Sequence, residues 1–538
     1  MNEEIEEYYE ELYRLYIDEN QPLERRYRQL RESLERVVRE KIQGNSLQTT
    51  DLAARINYVA TQYGLDLKEQ NQLHTFRLTS NDILNHRKSP VKEEFLRDLR
   101  AVAYAYRKMF AQDIPLKLFS VLPKQEIASS GKKEKMEYIR RIRVCFDYAD
   151  DTYLYVHPVD VIADELIRVV YNKPGINHEF EETIKELWRY AQLNLLDVSV
   201  DRDGIYTPSF IVLEPDYLID ISSLAECYKD YGSHPANYFL SRLVPIDNAR
   251  PLLLGNIANL FLDEWIHAGE EEPDYIDCMK KAFRQYPIEL AACAELRDPS
   301  KEKEFAKDCR MHFEHIRDVV QHTFLEPGYN LDKKEAVLEP SYICEALGIQ
   351  GRLDYMQRDM SSFIEMKSGK ADEFSMQGKV EPKENNKVQM LLYMAVLEYS
   401  MGQDRRRMHP YLLYTRYPLL YPARASWAQV RRVINLRNRI VAAEYGVQFH
   451  NHPDFTRNLL AQINPEVVNE RKLSGRFWEQ YLKPSISRFR EKLSALEPLE
   501  QAYFYTLYNF ITKELYTSKS GDVDYEGRTG AAALWLST

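Results

Sequence analysis

The sequence predicts a multidomain α/β protein, and three observations carry that expectation. Apolar residues recur at three and four over 1–111, and they alternate in short runs over 112–218. Between Gly348 and Tyr399 the pattern runs strand, strand, helix. With a length of 538 residues, these patterns divide the chain into four parts. They are a helical N-terminal domain (1–111), a small β-rich module (112–218), a mixed domain (219–440) and a helical segment (441–538).

In the first part, Leu12, Leu15 and Tyr16, then Leu30, Leu34, Val37 and Val38, keep helical spacing among many charges. That spacing fits a bundle or a long antiparallel hairpin with a scaffolding or partner-binding role, and Asn81-Asp82 and Ser89-Pro90 mark turns. In the second part, strands are expected at 116–122, 141–147, 151–156, 196–200 and 209–213, with one helix over 179–192. Asp147 to Asp151 and Asp201-Arg202-Asp203-Gly204 supply turn residues, and 129–133 reads as a loop. The module reads as a structural insert, with a barrel guiding single-stranded DNA as the other reading. From 255 to 325 the pattern is helical again. Cys278, Cys293 and Cys309 fall there at intervals that suit no metal template, so they are expected as core thiols. Residues 337–346 read as the first strand of the mixed domain. The last part is helical and turns polar over 517–528.

Composition bounds the function. A net charge of −11 does not advertise nucleic-acid binding, so any DNA contact must come from a local patch. Six scattered cysteines without close pairs point to a reducing, cytoplasmic setting. Met1-Asn2-Glu3-Glu4 opens an acidic helix rather than a signal peptide, and no apolar run approaches the roughly 18 residues that span a bilayer. No Gly-x-x-x-x-Gly-Lys-Ser/Thr loop occurs, which excludes a P-loop ATPase within these residues.

The mixed domain is organised around Gly348 to Tyr399. Phe363 to Lys367 is a short apolar run ended by Ser368-Gly369, hence a strand, with Glu365 and Lys367 on one face and Ile364 and Met366 on the other. Residues 351–356 read as the strand before it and carry Asp354. A turn at 358–362 makes the two a hairpin that brings Asp354 close to Glu365. Val388, Leu391, Leu392, Ala395 and Tyr399 then recur at helical spacing, with Gln389 and Tyr393 four apart on another side. Two neighbouring carboxylates suit Mg²⁺, a hard cation that prefers oxygen. Such an ion activates water and neutralises charge on a phosphodiester, and Lys367 adds a cation that can orient the water or steady the phosphate oxygens. Acid-x-lysine alone carries no meaning: Asp66-Leu67-Lys68 is another copy, in a helical stretch. The ordered set is far rarer, and it points to a magnesium-dependent nuclease site.

These residues resemble the RecB-like branch of the PD-(D/E)XK nuclease superfamily, most of all nuclease domains fused to superfamily-one helicases and CRISPR adaptation exonucleases. Leu254-Gly255-Asn256-Ile257-Ala258-Asn259 is similar to the helix that precedes the metal acids. Residues 219–227 with Asn237-Tyr238-Phe239-Leu240 are similar to the lead-in segment, and 433–438 to the helix that closes the domain. The resemblance covers roughly 215–440. It implies a restriction-endonuclease-like core, Mg²⁺ or Mn²⁺ on Asp354 and Glu365, Lys367 activating water, and Gln389 and Tyr393 positioning water, phosphate or the lysine. Two departures stand out. The family's metal-binding histidine falls on Asn259, whose amide oxygen is acceptable to Mg²⁺, with Asp263 one turn on. The cysteine trio of the family's iron–sulfur cluster is missing, so no cluster is expected.

The expected DNA surface follows. Residues 405–440 contain no Asp or Glu but carry Arg405, Arg406, Arg416, Arg431 and Arg437, with Tyr411, Tyr414, Tyr417, Tyr421 and Trp427 interleaved. Arginines pair with phosphates and aromatics stack unpaired bases; several of the tyrosines suit a core strand equally. Arg352, beside the acids, joins the set. The reading is a nuclease of single-stranded or flap DNA in repair or recombination, either stand-alone or leading into a helicase beyond Thr538, with no membrane partner. Its rivals are a non-catalytic DNA-binding scaffold that retains the fold and a host-defence endonuclease.

Overall fold

The computed structural model describes residues 2–42, 52–123, 137–161, 165–243, 250–329, 331–371, 381–424 and 426–520. The loop expected at 129–133 lies outside them. The chain forms two compact units, one of 1–217 with 441–456 and 504–538, the other of 218–440 with 457–503. The segment 441–538, expected as one part, is therefore divided between both. No helix of the described residues is long and apolar enough to cross a membrane.

In the first unit, helices Asn2–Ile17, Leu23–Ile42, Leu52–Tyr63, Leu67–Leu84 and Lys92–Phe110 bury one core containing Tyr9, Tyr27, Leu34, Phe76, Phe95 and Tyr106. This is a bundle, not a hairpin. Asp66 of the second acid-x-lysine copy caps its helix, exchanging hydrogen bonds with Glu69. Next come strands Glu137–Ala149, Tyr153–Pro158, Ile167–Val170, Tyr206–Thr207 and Gln192–Val200, whose pairings run in a closed ring, with Phe210–Leu213 added alongside Gln192–Val200. Two expectations fail here. Residues 116–119 form a helical turn after Pro115, because Leu118 alone of its apolar residues is buried. The helix at 179–192 stops at Lys185: the chain turns back through Tyr190, held at φ +71, and Gln192 opens a strand.

The second unit holds the organising stretch. Strand Ser362–Lys367 lies at the centre of a five-stranded sheet, parallel to His409–Tyr414 and antiparallel to Tyr355–Gln357, with Leu419–Pro422 and Ala336–Leu338 at the edges. Ile364, Met366, Tyr411 and Leu413 face a core shared with helices Arg250–His267 and Pro299–Gln321, which also takes in Cys278, Cys293 and Cys309. All six cysteines are free and buried. The opposite face meets helix Glu384–Met401, where Asn386 and the Lys383 amide both donate to the Tyr414 hydroxyl.

Two expected strands are each broken in two. Residues 337–346 split into Ala336–Leu338 and Ser341–Cys344; 351–356 splits at Leu353-Asp354 into Ile349–Arg352 and Tyr355–Gln357. The breaks lie opposite each other, Glu339 N–H donating to the Asp354 carbonyl (3.1 Å) and Leu353 N–H to the Pro340 carbonyl (3.1 Å). Pro340 has no N–H for a ladder, and Glu339 takes φ +49. The ribbon therefore bends out of the large sheet into a three-stranded one, Ile219–Asp220, Ile349–Arg352 and Ser341–Cys344.

Arg437 corrects a sequence-based expectation. It is fully buried and donates to the Gly348 carbonyl (3.1 Å), so it offers nothing to DNA. Gly348 sits at φ +64, and a Cβ there would overlap the Arg437 guanidinium. Gly348→Ala is expected to destabilise this unit by roughly 2 kcal/mol or more, through left-handed backbone strain plus a displaced buried cation; urea unfolding would register it, and an unchanged midpoint would contradict this packing role.

Candidate active site

The bend in the ribbon is what places the acids. Asp354 falls at the break, one residue before Tyr355, which pairs with Ile364. Its carboxylate accepts the Met366 N–H at 2.6 Å, continuing the ladder with a side chain where the backbone has turned away. Glu365 projects from the centre of the sheet and is 4% exposed. Its Oε1 accepts from Lys367 Nζ (2.9 Å) and Gln389 Nε2 (2.6 Å). Lys367 also donates to Gln389 Oε1 at 2.8 Å, so the three side chains close a triangle that fixes the amide's orientation. Ser222 stands 3.3 Å from the same Gln389 nitrogen.

The electrostatics follow from this crowding. Burial and the Asp354 charge push the Glu365 carboxyl up to about 8, against the pull of Lys367. Burial also raises Asp354, with the Met366 N–H and Lys367 opposing. Burial works against the Lys367 ammonium, yet Glu365 and Asp354 hold its pKa above the usual lysine value. Asp263 is pushed up to about 6 by burial and by Glu339 and Asp354.

Gly255, Asn259 and Asp263 lie four apart on helix Arg250–His267, hence on one face. One end of that face is Gly255, where a Cβ would come within 3.3 Å of Ser368 Oγ. The other end is Asp263, within electrostatic reach of Asp354 and Glu339. Asn259 lies between them on the same face of the helix. Tyr393 does something other than expected: its hydroxyl donates to the Arg352 carbonyl at 2.6 Å, and its ring packs on Gly351, where a Cβ would sit 3.0 Å away. It holds the backbone just before Asp354, and it also hydrogen-bonds Gln389 within electrostatic reach of Glu365 and Asp354.

The expected arginines are scattered. Arg352 is exposed beside the acids and pairs with Glu339 (3.1 Å). Arg405 pairs with Glu398 (3.1 Å) and lies over Trp427, Arg406 is exposed, and Arg431 is half-buried. Register puts Arg405 and Arg406 at the wrong end of the central strand: they precede His409, which pairs with Ser362, whereas Tyr414 pairs with Lys367. Five steps of strand are about 17 Å. Arg416 is at the right end but is held by Asp308 (3.6 Å). Tyr411 and Tyr414 are core. Sequence reasoning missed Glu339 and Ser222; the Glu339-Pro340 dipeptide inside an apolar run was the available signal for the first.

Whether a divalent cation fits can be judged from the donors. Glu365 Oε2 is buried with no hydrogen-bond partner. Asp354, Glu365 and Asn259 offer only oxygens, as Mg²⁺ and Mn²⁺ prefer. Among the described residues no three His, Cys, Asp or Glu side chains are grouped to hold a metal by themselves. Two carboxylates completed by water and substrate oxygens is the usual arrangement for Mg²⁺, so the set fits. No protein-family model and no curated protein matches this chain.

A cation on Glu365 must displace a proton below its raised pKa of about 8. Mn²⁺ affinity, read by calorimetry, should therefore tighten about tenfold from pH 6 to 7 and level off above pH 8. Affinity flat across that range would remove Glu365 from the ligand set.

Proposed function

We propose that this chain is a divalent-metal-dependent nuclease that hydrolyses DNA phosphodiesters. The observation that carries the reading is the buried, unpartnered oxygen of Glu365, set beside Asp354 and backed by Lys367. A protein that merely needed a stable strand would gain by placing an apolar side chain there. Asp354 and Glu365 hold the cation, with Asn259 on the neighbouring helix. The cation supplies an activated water and charge neutralisation on the phosphate. Lys367 carries a positive charge to the edge of the carboxylates, where it orients the attacking water or meets the phosphate oxygens. Gln389 holds that lysine and Glu365 in mutual register, and Tyr393 fixes the backbone that presents Asp354. Ribbon, strand and helix meeting at two acids and a lysine also support the resemblance to the PD-(D/E)XK nucleases noted above.

A second reading, a non-catalytic DNA-binding scaffold, draws on Asn259 and on the absence of a third grouped acid among the described residues. Labelled single-stranded DNA incubated with Mn²⁺, with and without EDTA, separates the two. Cleavage that EDTA abolishes is expected. Glu365→Gln and Lys367→Ala should each lower it by at least about a hundredfold with the circular dichroism spectrum unchanged. Full cleavage by either folded variant would refute the assignment.

A further inference from the structure

One stretch of the second unit stands outside the core cluster under the large sheet and apart from the acids. From Arg471 to Lys492 the sequence carries seven Lys or Arg against two Glu, in a chain of net charge −11. Within it a π-helical turn, Trp478–Leu482, runs into helix Lys483–Ser494. Such turns are rare and favour functional positions. The turn buries Trp478 edge-on against Tyr231, ring centroids 5.8 Å apart. Its neighbours face outward: Phe477 is 58% exposed and Tyr481 64%. Their rings lie 5.9 Å apart, tilted by 34°. Lys472 and Arg476 are exposed just before them.

The root of this arm is tied close to the acids. The Arg471 N–H donates to the Tyr231 carbonyl at 3.1 Å, and its guanidinium reaches the Asp230 carbonyl and the Glu384 carboxylate. Glu384 opens the helix that carries Gln389. Five residues of helix are about 7.5 Å, and Gln389 touches Glu365.

We propose that this arm is a docking surface for single-stranded DNA, with bases stacked on Phe477 and Tyr481 and phosphates along Lys472 and Arg476. Flat exposed rings accept any unpaired base, whereas a duplex keeps its bases stacked on each other and offers the arm only phosphates. The arm's role in feeding a strand to the acids rests on the nuclease reading; the binding itself does not.

The test is fluorescence anisotropy of a labelled oligo-dT and of a matched duplex with the full chain in EDTA. Phe477→Ala with Tyr481→Ala should weaken oligo-dT binding at least about tenfold, leave duplex binding within about twofold, and leave the melting temperature unchanged because both rings are exposed. Lys472→Ala with Arg476→Ala should lower the slope of log affinity against log salt by about 1.4, roughly 0.7 for each lost phosphate contact. Unchanged oligo-dT affinity in the aromatic variant, an equal loss for the duplex, or no oligo-dT binding by the unaltered chain would each overturn the proposal. Binding through these rings by a chain that never cuts would refute the nuclease reading alone. Cutting by a chain whose aromatic variant binds normally would refute the arm alone.

Discussion

A carboxylate held where water does not reach governs the second unit. Glu365 lies in a central strand, 4% exposed, with one oxygen satisfied twice and the other not at all. A buried acceptor without a partner costs about 1–3 kcal/mol. The strand cannot relieve this by turning over. Its alternate residues Ile364 and Met366 are committed to the core with Phe261 and Phe313, and a one-residue slip would carry them to the polar face. Local chemistry is thus overruled by the sheet's register, which is the pattern expected where a group is kept for reaction rather than for stability.

The bent ribbon serves the same end. An unbroken strand through 351–356 would continue the ladder beside Glu365 with backbone, and the Asp354 side chain would point along the alternation with no special neighbour. Because the ribbon leaves the sheet at Glu339-Pro340 and Leu353-Asp354, the Asp354 carboxylate substitutes for the missing ladder acceptor and ends up against the Glu365 strand. Tyr393 and Gly351 secure the departing strand: the ring fits because no Cβ stands in its way. Left-handed backbone at Glu339, costing of order 1 kcal/mol, is tolerated at the same point.

These two features divide what the sequence makes legible from what it does not. The face assignment of Glu365 and Lys367 is readable, since period-two alternation in Phe363 to Lys367 depends on neighbours in sequence alone. Helical spacing shows that Gln389 and Tyr393 share a side of their helix; that this side meets Lys367 is implied only by the family resemblance. The break in the ribbon is not, because apolar runs continue through it and the decision is made by which sheet each half joins. The fate of the arginines is not readable either. Arg437 has the sequence context of a surface cation, yet helix Trp427–His450 turns it toward the buried Gly348 carbonyl, which accepts from Arg437 as well as from the Ile219 N–H. The helix expected over 179–192 fails for a related reason: Gln192 to Val200 has a ladder partner in Glu137–Ala149, and pairing across the barrel outweighs local propensity.

Charge placement then argues for where a polyanion would approach. Around the acids stand Glu226, Glu339 and Asp263 as well, and a chain of net charge −11 repels nucleic acid at long range. A cation at the proposed site would neutralise part of this locally, but it would not orient a strand arriving from several ångströms away. Of the 405–440 arginines expected at DNA, Arg405 and Arg416 are matched by acids, Arg437 is buried, and the exposed Arg406 stands at the far end of the central strand. The basic segment rooted at Glu384 is the proposed alternative: its first arginine is fixed to the very helix that positions Lys367. On that proposal attraction and chemistry would be coupled through one helix, and a strand held by its bases on the arm would meet the acids with its backbone rather than its grooves.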